Sequence, residues 1–449
     1  MELKGKKVLV VGLARTGLAA VRFLAGKGAR VKVSEFKPAE ELGPVKEVLK
    51  DLQVEWETGG HTLPFFLDAD LIIVSPGVPL GENPLAEARR RGIKLISEVE
   101  LAFRFLRRPL MAITGTNGKT TTTTLVGEML KASGKLAFVG GNIGNPLIEF
   151  AGGPQTEDWV VAEISSFQLE GTAQFRPRIS VLLNITEDHL DRYPDFPGYL
   201  QAKGMIFQNQ GKEDYALINA DDPLTFQFAH RVKSQVILFS AQRPVPVGCF
   251  LEGGGITFQG LDGPREHFGL NRLKIRGAHN LENMMAAIAA CKICGCPREP
   301  LQQAMEKFAG LEHRLEWVRE IRGINFFNDS KGTNVGSVVK SLTGFREPVL
   351  LIAGGRDKGG DYTPLKKLVT EQVKGMALIG EAKERIFAAL GNLTETVKVE
   401  TLEEAVEWSW SKAVPGDVVL LSPACSSFDM FENYQERGKR FKSLVHKLA

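Results

Sequence analysis

The chain has 449 residues, 43% of them hydrophobic and 24% charged, so it is long enough for about three domains and lacks the composition of a disordered protein. Its 56 basic and 53 acidic residues give a formal net charge of +3, which excludes a whole-protein field that would recruit nucleic acid or an anionic membrane. No apolar run approaches the roughly 18 residues of a membrane helix. Glycine makes up about a tenth of the chain, which favours many strand-to-helix turns.

The first part of the chain alternates short apolar strands with helical stretches, as in a parallel sheet covered by helices on both faces. Strands are predicted at Lys7 to Val11, Arg30 to Val33, Leu71 to Ser75 and Lys94 to Ile96. The first strand runs into a glycine loop, Gly12 to Gly17, that opens a helix, and Glu35 follows the next strand. The loop is similar to the dinucleotide fingerprint, but Ala14 replaces the middle glycine, so a purely structural turn is an equal alternative.

The strongest local signal is a strand from Leu110 to Thr114 that runs into the loop Gly115 to Gly118 and then into a helix. Backbone N–H groups at such a helix start point towards phosphate. Lys119 would neutralise β and γ oxygens, and the Thr120 hydroxyl can bind Mg2+. Ile113 stands where the standard P-loop spacing asks for glycine. The segment predicts a nucleoside triphosphate site, with a plain turn as the alternative.

Polar residues follow the next predicted strands, Trp159 to Glu163 and Ile179 to Leu183. Because open α/β sheets bind ligands at the carboxyl ends of their strands, these residues are candidates for a site. Glu163 with Thr120 offers oxygen ligands for Mg2+. On residue chemistry alone, His189 is a second ligand or a capped loop histidine, and Lys203 is more often a solvated surface lysine.

The rest of the chain continues the same alternation. A glycine-rich stretch from Val236 to Phe268 predicts a hairpin insertion, and a helix follows from Asn280 to Cys294. Further strands are predicted at Val349 to Ala353, Met376 to Ile379 and Val418 to Ser422. We therefore predict an α/β protein whose domains cover residues 1–97, 98–311 and 312–449.

The cysteines are few and odd in number, which favours reduced thiols and a cytoplasmic protein. They are Cys249, Cys291, Cys294, Cys296 and Cys425. Three of them have the spacing of half a zinc site, but no second pair lies at ligand spacing. Buried free thiols are therefore favoured over a metal site.

Several motifs together resemble the Mur ligases of peptidoglycan synthesis, in order and over essentially the whole chain. They are Gly115 to Thr120, Glu163 to Leu169, Asn184 to Asp191, Gly277 to Asn280, His313-Arg314 and Asn328 to Asn334. Within that family, the loop Gly12 to Gly17 and the segment Ser422 to Tyr434 with Arg437-Gly438 resemble the members that add D-glutamate. The resemblance implies an N-terminal Rossmann-like domain for a UDP-sugar, a central P-loop-type ATPase and a mobile C-terminal Rossmann-like domain.

The resemblance also implies the reaction, ATP-dependent ligation of D-glutamate to UDP-N-acetylmuramoyl-L-alanine through an acyl phosphate, with release of ADP and phosphate. It makes Lys119, His189 and Lys203 catalytic and implies two Mg2+ ions. Thr120 and Glu163 would bind one ion, and His189 and Lys203 would serve the other. Lys203 would do so as a carbamate, because an ammonium would repel the metal.

The remaining site residues follow from the same resemblance. ATP binding is implied for Gly115, Thr116, Asn117, Gly118, Lys119, Thr120, Thr121, Asn280, Asn283, Arg314 and Asp329. UDP-substrate binding is implied for Arg15, Thr16, Glu35, Lys37 and Asn142, and D-glutamate binding for Lys331, Thr333, Lys358, Ser427 and Phe431. Because the ATP set spans two domains, domain closure would complete it.

Other functions stay open at this point. A Mur-type or folylpolyglutamate ligase that adds a different amino acid is the alternative within the class. An NAD-dependent dehydrogenase lacks a hydride-transfer constellation and leaves the Lys119 loop unexplained, and a noncatalytic nucleotide-binding scaffold is the other rival. We expect a monomer without a nucleic-acid or membrane partner.

Overall fold

The computed structural model describes residues 1–81, 83–188, 192–193, 195–275, 277–357 and 359–448. Within these ranges the chain forms three sheets in succession, each packed with helices, and the predicted α/β class is confirmed. Every described helix is too short or too polar to cross a lipid bilayer.

The first sheet is parallel and has the order β3-β2-β1-β4-β5. Its strands are β1 (Lys7–Val11), β2 (Arg30–Glu35), β3 (Glu55–Thr58), β4 (Leu71–Val74) and β5 (Lys94–Ser97). The accompanying helices are α1 (Arg15–Gly26), α2 (Val45–Asp51), α3 (Leu63–Leu67), α4 (Leu85–Arg90) and α5 (Glu98–Phe103). The four predicted strands are present, whereas β3 was not predicted, because an edge strand with charged residues contains no apolar run.

The second sheet has the order β14-β13-β12-β11-β10-β9-β6-β8-β7. Its strands are β6 (Leu110–Thr114), β7 (Ala137–Gly141), β8 (Trp159–Glu163), β9 (Ile179–Leu182), β10 (Tyr215–Asn219), β11 (Gln235–Ser240), β12 (Gly248–Glu252), β13 (Gly255–Gln259) and β14 (Glu266–Gly269). Its helices are α6 (Lys119–Ala132), α7 (Leu147–Gly152), α8 (Ser166–Glu170), α9 (Phe196–Gly204), α10 (Pro223–Phe226), α11 (Ala278–Ile293) and α12 (Arg298–Lys307).

The predicted hairpin insertion at Val236 to Phe268 is only partly right. Strand β11 pairs in parallel with β10, and only β12, β13 and β14 form an antiparallel meander, which extends the same sheet. Phe239, Ile256 and Phe268 are fully buried, so the segment belongs to the core of the second sheet. The many glycines of the segment hid this apolar alternation.

The third sheet has the order β15-β16-β20-β17-β18-β19, parallel except for β15. Its strands are β15 (Glu316–Ile321), β16 (Ile324–Asn328), β17 (Val349–Gly354), β18 (Val373–Ile379), β19 (Glu395–Lys398) and β20 (Val418–Leu421). Its helices are α13 (Val335–Leu342), α14 (Lys366–Gln372), α15 (Lys383–Leu390), α16 (Leu402–Lys412) and α17 (Tyr434–Lys447).

The cysteine cluster lies at the carboxyl end of α11. Gly295, with φ of +74°, ends the helix, and the Cys296 N–H donates to the Cys291 carbonyl at 3.1 Å. This hydrogen bond closes a Schellman cap and explains why two sulfur-bearing side chains meet there. All five cysteines are free and buried, and in the described part of the chain no group of three or more His, Cys, Asp or Glu side chains is placed to hold a metal ion.

A buried carboxylate lies where the first and second sheets pack together. Glu98 in α5 is 1% exposed, and its Oε1 accepts the backbone N–H of Ile148 in α7 at 2.7 Å. Burial raises the pKa of Glu98 to about 7, because the carboxylate loses its hydration there.

We predict that Glu98→Gln stabilises the protein at alkaline pH. The folded-state pKa of Glu98, about 7, lies above the ordinary value of 4.5, so the stability of the fold falls as pH rises from about 4.5 to 7 and stays at the lower level above 7. The neutral amide avoids that loss and keeps an oxygen for the Ile148 N–H. Thermal melts should show a higher unfolding temperature than wild type at pH 8 and a much smaller difference at pH 5, with a ceiling of about 3 kcal/mol. The exposed neighbour Glu149 provides the control, Glu149→Gln; a variant that melts below wild type at pH 8 would contradict the prediction.

Candidate active site

A cavity of about 500 Å³ lies between the second and third sheets. Its walls come from the loop after β6, the carboxyl end of β8, the first turns of α11, the segment that enters the third sheet and the loop after β20. The residues that carry its polar chemistry are Thr116 to Thr121, Asn142, Glu163, Lys203, Asn280, Asn283, Arg314, Asp329, Lys331, Thr333 and Ser427.

The loop Gly115 to Gly118, here called the nucleotide loop, has a backbone that suits glycine. Gly115 and Gly118 have φ of +150° and +88°, and a Cβ on Gly115 would lie 3.0 Å from the Leu183 Cβ. Asn184, just after β9, accepts the Asn117 N–H and donates to the Asn117 carbonyl, both at 2.9 Å. The end of β9 therefore fixes the loop that precedes α6.

The residues after this loop form an oxygen-rich site. Lys119 Nζ donates to the carbonyls of Gly115 and Thr116, both at 2.8 Å. Glu163, 2% exposed, accepts from the Thr120 hydroxyl at 2.7 Å and from Asn142 Nδ2 at 2.8 Å. A hydroxyl and a buried carboxylate are hard oxygen donors of the kind that Mg2+ prefers, so this pair fits the ion.

Lys203 is not the surface lysine that its local sequence favours. Its side chain on α9 is 1% exposed, its Nζ donates to the Gly115 carbonyl at 2.9 Å, and it lies 4.6 Å from the Tyr199 ring centroid. Burial, together with the charge of Lys119, holds the pKa of Lys203 well below the usual value. The site therefore disfavours the ammonium form of this side chain.

Residues that enter the third sheet reach back to the nucleotide loop. Arg314 Nη2 donates to the Thr120 hydroxyl at 2.5 Å. Asp329 is buried and accepts from the hydroxyls of Ser341 and Ser422, both at 2.7 Å, and burial raises its pKa to about 6. On the opposite wall, Asn283 accepts from Thr122 at 3.2 Å and donates to Asn280 at 3.5 Å. The predicted ATP residues thus share one cavity, except that Gly115 lies just behind its wall.

Only some of the residues predicted to bind the amino-acid substrate lie together in the structure. Lys331, Thr333 and Ser427 line the cavity. Phe431 does not line it. Its N–H donates to the Ser427 carbonyl at 2.8 Å, and its side chain packs against the core of the third sheet. Tyr434, whose ring centroid lies 4.0 Å from Lys331 Nζ, and Phe428 are the aromatic lining residues instead. Lys358 and His189 lie outside the described residues.

The predicted UDP-substrate residues lie mainly on the first sheet. Asn142 alone of them lines the cavity. Arg15 donates to Asn145 Oδ1 at 2.8 Å, which brings the opening of α1 next to the loop after β7. Glu35 accepts the backbone N–H groups of Leu13 at 2.6 Å and of Lys37 at 3.0 Å. Together with Thr16 at the start of α1, these residues surround the loop after β1.

The resemblance included Arg437, but sequence reasoning gave it no role in the site. Arg437 does not line the cavity and instead holds segments that do. Its side chain is 1% exposed and donates to the Ser330 hydroxyl at 3.0 Å and carbonyl at 2.8 Å. It also donates to the carbonyls of Cys425 and Ser426, at 3.3 and 3.4 Å. It therefore ties the loop before Ser427 to the segment before Lys331. A charged residue on a polar helix gives no sequence signal of burial.

Family models match three consecutive segments of the chain. They are the Mur ligase MurD-like N-terminal domain at residues 6–97, the Mur ligase middle domain at 113–291 and the Mur ligase glutamate ligase domain at 313–425. The chain belongs to the Mur ligase family.

Full-length relatives of this Mur ligase carry one name. The UDP-N-acetylmuramoylalanine--D-glutamate ligase of Geotalea uraniireducens is 54% identical over 448 residues, which cover 100% of this chain and 99% of the relative. The ligase of the same name from Koribacter versatilis is 46% identical over 449 residues, with 100% and 99% covered.

Solved structures share the fold of this Mur ligase. A pseudomurein peptide ligase type C from Methanothermus fervidus aligns with a TM-score of 0.64 and 19% identity, over 99% of this chain and all of the other. MurF from Thermotoga maritima in complex with ADP gives 0.60 and 15%, over 100% and 97%. At these identities the likeness establishes the three-domain α/β architecture alone.

We predict that Arg437→Lys destabilises the C-terminal part of this Mur ligase by about 3 kcal/mol. Lysine keeps the charge, but it cannot make the same set of forked contacts, so buried carbonyl groups lose their donors. Differential scanning calorimetry should show a lower unfolding temperature. Arg440→Lys on the same helix is the control, because Arg440 is exposed and pairs with Glu403 at the surface. Equal melting of the two variants would refute this role of Arg437.

Proposed function

We propose that this Mur ligase joins D-glutamate to UDP-N-acetylmuramoyl-L-alanine, with conversion of ATP to ADP and phosphate, as a step of peptidoglycan biosynthesis. The observation that carries the proposal is that the nucleotide loop faces Lys331, Thr333 and Ser427 across one cavity of about 500 Å³. The names of the full-length relatives support this choice of substrates.

In this proposal the triphosphate lies at the start of α6. Backbone N–H groups of 115–121 donate to phosphate oxygens, and Lys119 and Arg314 supply positive charge. Asn280, Asn283 and Asp329 hold the nucleoside end. Arg15, Thr16, Glu35 and Lys37 hold the UDP end of the acceptor, and Asn142 lies between that end and the nucleotide. The acceptor carboxylate is thereby directed towards the terminal phosphate.

Thr120 and Glu163 would hold one Mg2+, and His189 with Lys203 would serve a second. Bound Mg2+ neutralises the charge of the two anions that must approach each other. Lys203 acts as a carbamate. Its burial disfavours the ammonium form, and the neutral amine adds carbon dioxide, loses a proton and becomes an anionic oxygen donor.

Phosphoryl transfer to the acceptor carboxylate gives an acyl phosphate. The amine of D-glutamate then attacks the acyl carbon, and phosphate leaves from the tetrahedral intermediate. Lys331, Thr333, Lys358 and Ser427 bind the carboxylates of D-glutamate and so orient its amine. Because Phe431 lies away from the cavity, we assign the aromatic side of this pocket to Tyr434.

The proposal includes the setting of the enzyme. The functional domains are 1–97 for the UDP-substrate, 98–311 for ATP and 312–449 for the amino acid. The enzyme acts as a cytoplasmic monomer on small-molecule substrates, with no nucleic-acid or membrane partner.

We predict that phosphate release requires ATP, Mg2+, the UDP-linked acceptor and D-glutamate together. Phosphate leaves only after the amine of D-glutamate attacks the acyl phosphate, so omission of any one component should reduce release to background. A coupled phosphate assay with single omissions, and with L-alanine or meso-diaminopimelate in place of D-glutamate, is the measurement. Equal turnover with either replacement would refute the assignment of D-glutamate.

We predict that Lys203→Ala lowers kcat by about 100-fold to 1000-fold, because it removes the carbamate that would serve the second Mg2+. A short carboxylic acid such as acetate should restore part of the rate by entering the vacated space. Lys203→Arg should stay impaired, since guanidinium cannot form the carbamate. The exposed Lys212 provides the matched control, Lys212→Ala. Near-normal turnover of Lys203→Ala would overturn the carbamate assignment and leave the ligase assignment standing.

A further inference from the structure

The cavity wall contains an interdomain contact that none of the roles above uses. Helix α13 starts just after Lys331 and Thr333, and its first turn lies against the nucleotide loop. The Ser337 hydroxyl donates to Asn117 Oδ1 at 2.7 Å. Asn334 donates to Asp188 Oδ2 at 2.9 Å and caps α13 by accepting the Ser337 N–H at 2.8 Å. The start of this helix is thus bonded both to the central domain and to itself.

A steric constraint adds to these hydrogen bonds. A Cβ on Gly336 would lie 2.9 Å from Oγ1 of Thr186 and 3.5 Å from its Cβ. Gly336 is not among the glycines with positive φ, so the requirement for glycine here is one of space rather than of backbone conformation. The first turn of α13 therefore approaches the loop after β9 as closely as the absence of a side chain allows.

We infer that Gly336 and Ser337 form the docking contact by which the C-terminal domain engages the nucleotide loop and sets the position of Lys331 and Thr333. The inference deepens the proposed function and rests on it. Neither residue touches reacting atoms in that function, so both are positioning residues. Their loss should act more on the amino-acid substrate than on the nucleotide, because the nucleotide loop keeps its own bonds to Asn184 and Lys203.

A pair of substitutions across the contact tests the inference. Gly336→Ala places a Cβ against Thr186 Oγ1 and pushes the first turn of α13 away. This change should raise KM for D-glutamate by about tenfold or more, since small displacements of a binding group are costly. The dissociation constant of Mg-ADP, measured by calorimetry, should rise by a smaller factor than KM, because the nucleotide loop and Lys119 stay in place and only Arg314 and Asp329 belong to the C-terminal domain. Thr186→Ala should behave like wild type, because its Oγ1 makes no hydrogen bond among the described residues. The double variant should recover KM, because the steric conflict is gone.

Further variants separate docking from a general folding defect. Ser337→Ala should raise the same KM by about fivefold, because it removes one hydrogen bond to Asn117. Ser337→Thr should retain the contact through its hydroxyl. Gly26→Ala is the matched control, because nothing lies within 4 Å of its Cβ position. A wild-type KM in both Gly336→Ala and Ser337→Ala, or a double variant no better than Gly336→Ala, would overturn the inference.

Failure of the proposed function has a different signature, which is absence of D-glutamate-dependent phosphate release in the wild type. The docking contact is then judged by small-angle scattering with Mg-ADP. Gly336→Ala should enlarge the radius of gyration, and the double variant should restore it. An unchanged radius in Gly336→Ala would refute the contact itself.

Discussion

The architecture of the cavity depends on how one loop, Gly115 to Gly118, is held. The Gly115 carbonyl accepts from Lys119 at 2.8 Å and from Lys203 at 2.9 Å, so two lysine nitrogens meet at one oxygen. Burial and the nearby charge of Lys119 both lower the pKa of Lys203, so the ammonium form of this lysine is disfavoured there. The proposed carbamate is compatible with this constraint, since the same burial that disfavours an ammonium favours a nucleophilic amine.

The loop is also the place where the domains meet. Asn184 binds its backbone from within the second sheet, while Arg314 and Ser337 reach it from the chain that builds the third. Glu163 adds a buried negative charge next to the positive groups, held by Thr120 and Asn142. Binding of an anionic ligand and a cation at this point would therefore change contacts in two domains together.

The success of the sequence predictions followed the distribution of apolar residues. Central strands such as β1, β6 and β20 are apolar along their whole length and were located within a residue or two. Edge strands β3 and β19 were missed, because their exposed faces interrupt the apolar run. The edge strands β7 and β15 and the interior strands β10 and β16 were missed as well. The nucleotide loop was located by its glycines and lysine. Phe431 was predicted to bind the amino acid, but it does not line the cavity, whereas Tyr434 does, because the turn of backbone after Ser427 directs the Phe431 side chain elsewhere.

The sequence by itself determined the α/β class, the succession of three sheets and the segments that carry phosphate and carboxylate chemistry, because these depend on local periodicity and on residue type. Tertiary structure alone decided that Lys203 and Arg437 are buried, that Tyr434 rather than Phe431 lines the cavity, and that Gly336 lies against Thr186. Those facts depend on the packing of residues far apart in the chain. Burial of a charge and the space left for one Cβ are properties of that packing, and no local pattern encodes them.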